Sequence, residues 1–185
     1  MAGPEIIGLL CAGSTNYHPL GGGGRATQLT KSEMAGLLRG LSDEAMAFAL
    51  AKYAVDLDAE RRLIALVRVC VSSWSVREQW QIVRGRPTLS NMAAVAVFEV
   101  VRPNRCSRCR GIGFIGNKVC GTCLGTCYKP LSGRQVAEAM CIDHTNYIRT
   151  WKARYDRVLE HVGGLDGMVC LALRVASRRD DLAVV

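Results

Sequence analysis

The chain has 185 residues, of which 49% are hydrophobic and 22% charged, and its formal net charge at pH 7 is +8. This length allows one domain with a real core, or one domain and a small metal-stabilised module, and the composition argues against a disordered protein. We find no apolar run long enough to span a bilayer and no secretory signal, so the expected compartment is a reducing cytosol.

The positive charge is concentrated in the second half of the chain. Residues 1–101 contain 10 Lys and Arg against 9 Asp and Glu, whereas residues 102–185 contain 14 against 7. Between Arg105 and Arg157 the numbers are 10 and 3. A basic excess of this kind is typical of a surface that meets a phosphate backbone, and a solvated basic face is the alternative.

The first hundred residues predict a flexible arm and then a helical body. The glycine run Gly21 to Gly24 and the lack of periodicity indicate an arm over residues 1–29. A helical body is predicted over residues 30–102, where capping patterns alternate with apolar residues at helical spacing. Its helices are expected after a capping box at Thr30-Lys31-Ser32-Glu33, from Asp43 to about Val55 after Ser42, from Asp58 to about Ile82 with a weak point at Ser72-Ser73, and from Asn91 to Val101 after Ser90.

The sequence also predicts where the third of these helices stops and how the fourth is buried. The segment Gly85-Arg86-Pro87 is expected to stop the third helix. The apolar run AAVAVFEVV that precedes Pro103 implies deep burial, and a short strand is the alternative to a helix there.

Residues 103–130 contain the motif with the clearest chemistry. From Cys106 to Cys127 the sequence reads CSRCRGIGFIGNKVCGTCLGTC, with two C-x-x-C pairs separated by ten residues. A C-x-x-C turn lets two sulfurs converge on one ion, and tetrahedral zinc takes four thiolates. The glycines after each pair, Gly111, Gly113 and Gly125, permit the positive φ angles that such turns require. We therefore predict a zinc knuckle with ligands Cys106, Cys109, Cys120 and Cys123 and a hairpin tip at Gly116-Asn117.

Other interpretations of the cysteines remain open at this point. Cys127 lies four residues beyond Cys123, so it could replace that ligand or be a spare thiol nearby. A redox dithiol or a disulfide is the competing interpretation of the two pairs. Elsewhere, Cys70 and Cys170 fall in apolar runs and are predicted to be small buried hydrophobic residues.

The last segment, residues 131–185, has the pattern of a helix-turn-helix followed by a packing helix. Val136 and Ala137 are expected to face inward, the turn lies near Cys141, and the second helix begins around Asp143 or Thr145. Ile142 and Ile148 can face the core. The second helix is predicted to end at Gly163-Gly164, and a separate packing helix is predicted after Asp166.

If this unit docks as such motifs do, the start of its second helix enters the major groove of DNA. The candidates for contact with base edges are His144, Thr145, Asn146 and Arg149. Arg134, Lys152 and Arg154 are better suited to phosphate. The alternative is a plain helical hairpin with solvated polar residues. The predicted fold is thus mainly α, a helical bundle with an inserted four-cysteine zinc knuckle and a C-terminal helix-turn-helix.

Taken together, these motifs resemble a known family of regulators. The order of an apolar helix, CSRCRGIGF, CGTCLGT and a polar hairpin with Trp151 and YDRVLEHV is similar to the late-gene antitermination Q proteins of lambdoid phages. The resemblance covers roughly residues 91–173. The C-x-x-C-x-G-x-G element is shared with DnaJ-type chaperones, and Cys127 stands where a second glycine is expected.

The resemblance implies a transcription antiterminator without enzymatic activity. Such a protein binds double-stranded DNA beside a late promoter in the host bacterial cytoplasm, in association with the nucleoid. It engages bacterial RNA polymerase holoenzyme, with sigma factor and core, and travels with it through terminators. The four cysteines would hold one structural Zn²⁺. The sequence contains no G-x-S-x-G, H-E-x-x-H or phosphate-loop motif, so we expect no catalysis. A DnaJ-like zinc-knuckle chaperone or thiol-redox protein is the alternative function.

Overall fold

The computed structural model describes residues 36, 38–82 and 88–183, with side chains up to Val175. The predicted arm at 1–29, most of the predicted first helix and the Gly85-Arg86-Pro87 segment lie outside these residues. Within them the fold is mainly helical, as predicted. No helix in the described part of the chain is long and apolar enough to cross a membrane.

Helix α1 spans Asp43–Tyr53, and Ser42 caps it as predicted, since its hydroxyl accepts a hydrogen bond from the Ala45 N–H (3.3 Å). Acidic residues in the first turn interact favourably with the positive end of the helix dipole. The buried side of α1 consists mainly of alanines around Phe48. Small side chains of this kind allow close packing of neighbouring segments.

Helix α2 spans Leu57–Arg77 without the predicted break at Ser72-Ser73. The Asp56 side chain accepts from the Asp58 and Ala59 N–H groups (3.0 and 3.3 Å) and so satisfies backbone groups at the first turn. The helix ends five residues before the predicted Ile82. The Ser75 hydroxyl donates to the Ser72 carbonyl (2.7 Å), so serine in this turn is accommodated within the helix.

Helix α3 spans Thr88–Val101, so the helical interpretation of the apolar run is confirmed and the strand is excluded. The helix begins before Ser90, which lies in its first turn rather than at the cap. The buried residues Met92, Ala93, Ala96, Val97 and Val101 recur at intervals of three or four, so the helix buries one face. Phe98 and Glu99 lie away from that face.

A two-stranded antiparallel hairpin follows, with β1 at Phe114–Ile115 and β2 at Lys118–Val119. Its turn is Gly116-Asn117, as predicted, and the positive φ of Gly116 (58°) suits the first central position of a two-residue hairpin turn. The strands pair Phe114 with Val119 and Ile115 with Lys118.

The C-terminal region begins with α4, Gly133–Ala139, which has a capping box between Ser132 and Gln135. Helix α5 (His144–Asn146), a π-helical turn (Tyr147–Trp151) and α6 (Lys152–Ala183) then follow without interruption. The predicted stop at Gly163-Gly164 and the separate packing helix after Asp166 are wrong, because α6 continues through both.

The described residues form two compact units. One contains the residues up to Val67 and those from His161 onward, and the other is Arg68–Glu160. The large buried side chains of the first include Leu38, Phe48, Leu63 and Leu165. The second buries Met92, Val97, Met140, Tyr155 and their neighbours, and it contains both the cysteine segment and the helical hairpin.

Candidate functional site

The four predicted cysteine ligands form one buried cluster. The Sγ atoms of Cys106 and Cys120 are 3.9 Å apart, those of Cys109 and Cys123 are 3.6 Å apart, and all four lie within 4.8 Å of one another. A metal about 2.3 Å from each of four tetrahedral sulfurs would place those sulfurs about 3.8 Å apart. The four thiols therefore fit one tetrahedral ion, and the cluster could hold a metal.

The backbone of this cluster repeats itself. Cys106 and Cys109 precede their partners Cys120 and Cys123 by 14 residues each. After each pair comes a residue with positive φ and then a glycine, Arg110-Gly111 (53° and 83°) and Leu124-Gly125 (50° and 85°). The two halves exchange equivalent hydrogen bonds, Cys106 N–H to the Cys127 carbonyl (2.9 Å) and Cys120 N–H to the Gly113 carbonyl (2.8 Å). Two similar turns thus enclose the sulfurs from both sides.

Hydrogen bonds from backbone N–H groups, together with burial, shift the pKa values of the clustered thiols. N–H groups of Cys123 and Thr122 lower the pKa of Cys120 to about 6. Burial raises the pKa of Cys109, but hydrogen bonds, above all from Gly113 N–H (3.2 Å), outweigh it and the net shift is downward. Burial and the bond to Cys109 raise the pKa of Cys123 to about 11. The cluster therefore favours thiolates at some of its positions, as metal binding requires.

Cys127 does not belong to the cluster of four. Its Sγ lies 3.6 Å from the Gly125 carbonyl oxygen, and its φ is 70°. The position equivalent to Cys127 in the first turn is Gly113, which also has positive φ (83°). A Cβ on Gly113 would lie 2.9 Å from the Gly125 oxygen and 3.1 Å from Cys127 Sγ, so only glycine fits there. Cys127 is thus a spare thiol packed against the turn.

The outer surface of this segment is apolar and basic. Residues 103–130 contain no Asp or Glu. The exposed apolar side chains are Ile112, Phe114, Ile115, Val119 and Leu124. The exposed basic residues are Arg105, Arg108, Arg110, Lys118 and Lys129.

Beyond the cysteines, α4 packs closely against the helical segment that follows it. Val136 and Ala137 of α4 are buried, as predicted. Cys141 adopts a positive φ of 56° in the turn between α4 and α5. Asp143 caps α5, accepting from the Thr145 and Asn146 N–H groups (2.8 and 3.1 Å), and these bonds lower its pKa, that from Asn146 most. A Cβ on Gly133 would lie 3.2 Å from the Tyr147 ring.

The residues predicted to contact DNA are mostly at the surface. Exposed side chains are those of Arg134, His144, Thr145, Asn146, Arg149 and Lys152. Lys152 forms an ion pair with Asp156. Arg154 differs, because it is half-buried and its guanidinium lies 4.9 Å from the ring centroids of both Trp80 and Trp151. Its charge is therefore held against aromatic rings.

Ile148 is on the opposite side from the one predicted. Its side chain is 51% exposed, whereas Tyr147 and Trp151 are buried. The Lys152 N–H bonds the Tyr147 carbonyl, five residues earlier, and this wider turn places both aromatic rings inward. Ile142, also predicted to face the core, is half-buried.

Sequence reasoning missed two polar residues that position the hairpin. Glu99 accepts from the Leu131 N–H (2.9 Å) and from the Tyr155 hydroxyl (2.6 Å), so it connects α3 to the chain before α4 and to α6. Asn91 donates to the Ala139 carbonyl (2.9 Å) at the end of α4. The one available signal was Glu99 itself, the single acid in the apolar run of α3, since a carboxylate that is partly removed from water needs hydrogen-bond partners.

Comparison with known proteins adds no family assignment. No protein-family model matches the chain, and no curated protein matches it.

Proposed function

We propose that this protein is a zinc-stabilised DNA-binding regulator whose activity is transcription antitermination at a phage late promoter. The observation that carries the proposal is the row of exposed residues at the start of a helix packed closely against α4. His144, Thr145, Asn146 and Arg149 make up this row. Donors and acceptors of these types can pair with base edges in the major groove.

Zinc is the metal that the thiol cluster suits best. Four thiolates are soft ligands, and a closed tetrahedral set without an open position is typical of a structural zinc site. A bound zinc ion would neutralise the converging thiolates and contribute folding free energy. The chain itself supplies backbone N–H groups that hydrogen-bond the sulfurs and stabilise their thiolate form.

The helical hairpin supports the DNA-binding part of the proposal. Two helices joined by a tight turn, the second with its first residues exposed, are what a helix-turn-helix needs. The basic excess between Arg105 and Arg157 would favour a polyanionic partner. In this proposal Arg134 and Lys152 contact phosphate, and Arg154 supports the helix through its tryptophan contacts.

The antitermination activity rests on the family resemblance of the cysteine segment and the hairpin. By that resemblance the partners are double-stranded DNA and bacterial RNA polymerase holoenzyme. The direct test is transcription with purified polymerase past a terminator downstream of the cognate late promoter. We expect readthrough with the metal-loaded protein and its loss after chelation, with recovery on adding Zn²⁺. Readthrough no higher than without the protein would reject the activity.

Two substitutions on the same helical segment separate base from phosphate contacts. Arg149→Ala should cost about 1 to 3 kcal/mol on the specific site and relax sequence preference, because a base contact is lost. Lys152→Ala should weaken specific and random duplexes alike and reduce the salt dependence of binding. Fluorescence anisotropy on both duplexes at several salt concentrations measures these effects. Equal losses on both duplexes for Arg149→Ala would refute its role.

The chaperone or thiol-redox alternative has one observation in its favour. The exposed apolar side chains around the hairpin, Phe114 and Leu124 among them, could contact unfolded chains. That function predicts suppression of aggregation and indifference to DNA, or thiols that react without removal of metal. Suppressed aggregation of a reduced model substrate, together with no duplex binding at low salt, would favour this alternative.

A further inference from the structure

Ile148 is an exposed aliphatic side chain within an otherwise polar row. The residues around it in the chain, Thr145, Asn146 and Arg149, are exposed as well, and Ile148 is itself 51% exposed. Isolated exposed hydrophobic residues are ordinary on protein surfaces. The position of this one is what makes it informative, since it lies in the part of the helix proposed to meet base edges.

The side chain of Ile148 has a defined place next to His144. Ile148 Cδ1 and His144 Nε2 both lie 3.6 Å from the point where a Cβ on Gly133 would be. The two residues are four apart, so they lie on the same face of the helical segment. The absence of a side chain at Gly133 leaves room for both, and the isoleucine lies beside the start of α4.

An aliphatic side chain among residues proposed to contact DNA has a natural partner in the major groove. Among the four bases only thymine carries a methyl group in the major groove, and apolar side chains discriminate thymine by contact with it. Hydrogen-bonding residues on either side fix the register of the helix, and the isoleucine then adds an apolar contact between them.

We infer that Ile148 packs against the 5-methyl group of a thymine and is a specificity-determining residue of the DNA site. This inference rests on the proposed DNA-binding function. The inference predicts that the DNA site contains a thymine within reach of the first helical turns after Asp143. The polar residues alone do not require a thymine there.

The test uses deoxyuridine, which lacks only the 5-methyl group of thymidine. The full-length, zinc-loaded protein first enriches duplexes from a random pool. The preferred duplex is then made with each thymine in turn replaced by uracil. At one position we expect the affinity of the wild-type protein to fall about three- to fivefold, as the loss of one buried methyl contact predicts.

Ile148→Ala should bind the thymine duplex as weakly as the wild type binds the uracil duplex, and should no longer distinguish the two. Ile148→Val, which keeps β-branching, should retain part of the preference. Leu171→Ala is the matched control, because Leu171 is an aliphatic residue of α6 that is 63% exposed and is not among the residues proposed to contact DNA. It should retain the full preference. Circular dichroism verifies that each variant is folded.

The possible outcomes distinguish a failure of this inference from a failure of the proposed DNA-binding function. If no duplex is enriched, DNA binding itself is refuted and the role of Ile148 with it. If a duplex is enriched but uracil is tolerated at every position, or Ile148→Ala keeps the thymine preference, DNA binding stands and the role of Ile148 is overturned.

Discussion

At the scale of single residues, Cys127 is explained by the repeat within the thiol cluster. It follows Gly113 by the same interval that separates Cys106 from Cys120, and both residues have positive φ. Both also accept a backbone hydrogen bond from the first cysteine of the opposite pair. Cys127 therefore occupies a backbone position that glycine would occupy more easily.

We predict that Cys127→Gly leaves the metal site intact. The substitution removes a side chain from a positive-φ position but no clustered sulfur, so the free energy of unfolding should change by no more than about 1 kcal/mol. Metal analysis of the purified protein should still give one zinc per chain. Thiol titration before chelation should detect one reactive group fewer than in the wild type.

Cys123→Ser is the control, since it removes one of the four converging sulfurs. We expect this variant to lose zinc during purification and to expose its remaining thiols. Metal loss from Cys127→Gly with retention in Cys123→Ser would mean that Cys127 is the fourth ligand.

At the scale of elements, α6 shows how tertiary packing overrides a local stop signal. Gly163 and Gly164 were predicted to end the helix, but both lie within it and are exposed. Buried residues continue on either side, Val158 and Val162 before the glycines and Leu165 and Val169 after them. Burial of this stripe outweighs the cost of two glycines, about 1 kcal/mol each relative to alanine.

Alanine at either glycine should therefore stabilise the protein. A Cβ on Gly163 or Gly164 meets no atom within 4 Å, so Gly163→Ala and Gly164→Ala should each raise the free energy of unfolding by about 0.5 to 1 kcal/mol. Urea denaturation of the zinc-loaded protein measures the change.

Gly113→Ala provides the opposite case for comparison. Its Cβ would approach a backbone oxygen to 2.9 Å at a φ of 83°, so this variant should lose stability and zinc affinity. A loss of stability in Gly163→Ala would show that the helix does not continue through that residue in solution.

At the scale of the whole molecule, contacts between distant parts of the chain define each compact unit. In the unit that contains α1 and the end of the chain, Lys52 forms an ion pair with Asp166 (2.9 Å) and Tyr53 donates to the same carboxylate. His161 also pairs with Glu44 (3.0 Å). These bonds join segments more than a hundred residues apart, which no local pattern predicts.

The pair of His161 and Glu44 makes stability depend on pH. The hydrogen bond that His161 donates to the Glu44 carboxylate raises the pKa of His161 above its ordinary 6.5. Since the folded state holds the proton more tightly, the pair stabilises the protein fully below the ordinary pKa, and this contribution is lost as the pH rises through the raised value. We expect the wild type to exceed His161→Gln in unfolding free energy by more at low pH than at high pH.

Urea denaturation at several values between about pH 5.5 and 8.5 measures this difference. Glu44→Gln should reduce the pH dependence in the same way, because it removes the carboxylate that holds the proton. A difference between wild type and His161→Gln that stays constant over the range would contradict the assignment.

The sequence by itself was sufficient for the elements whose cause is local. The convergence of the two C-x-x-C pairs and the turn at Gly116-Asn117 follow from spacing and from the backbone freedom of glycine. The start of α1 follows from the Ser42 cap. Each depends on residues close together in the chain, so a pattern of a few positions contains the necessary information.

Only the tertiary structure decided the features that depend on distant contacts. It placed Cys127 outside the cluster, turned Ile148 outward and held Arg154 against both Trp80 and Trp151. It also gave Glu99 its two partners. The physical reason is that burial and hydrogen bonding of these side chains are set by segments far away in sequence, whose approach local propensity does not determine.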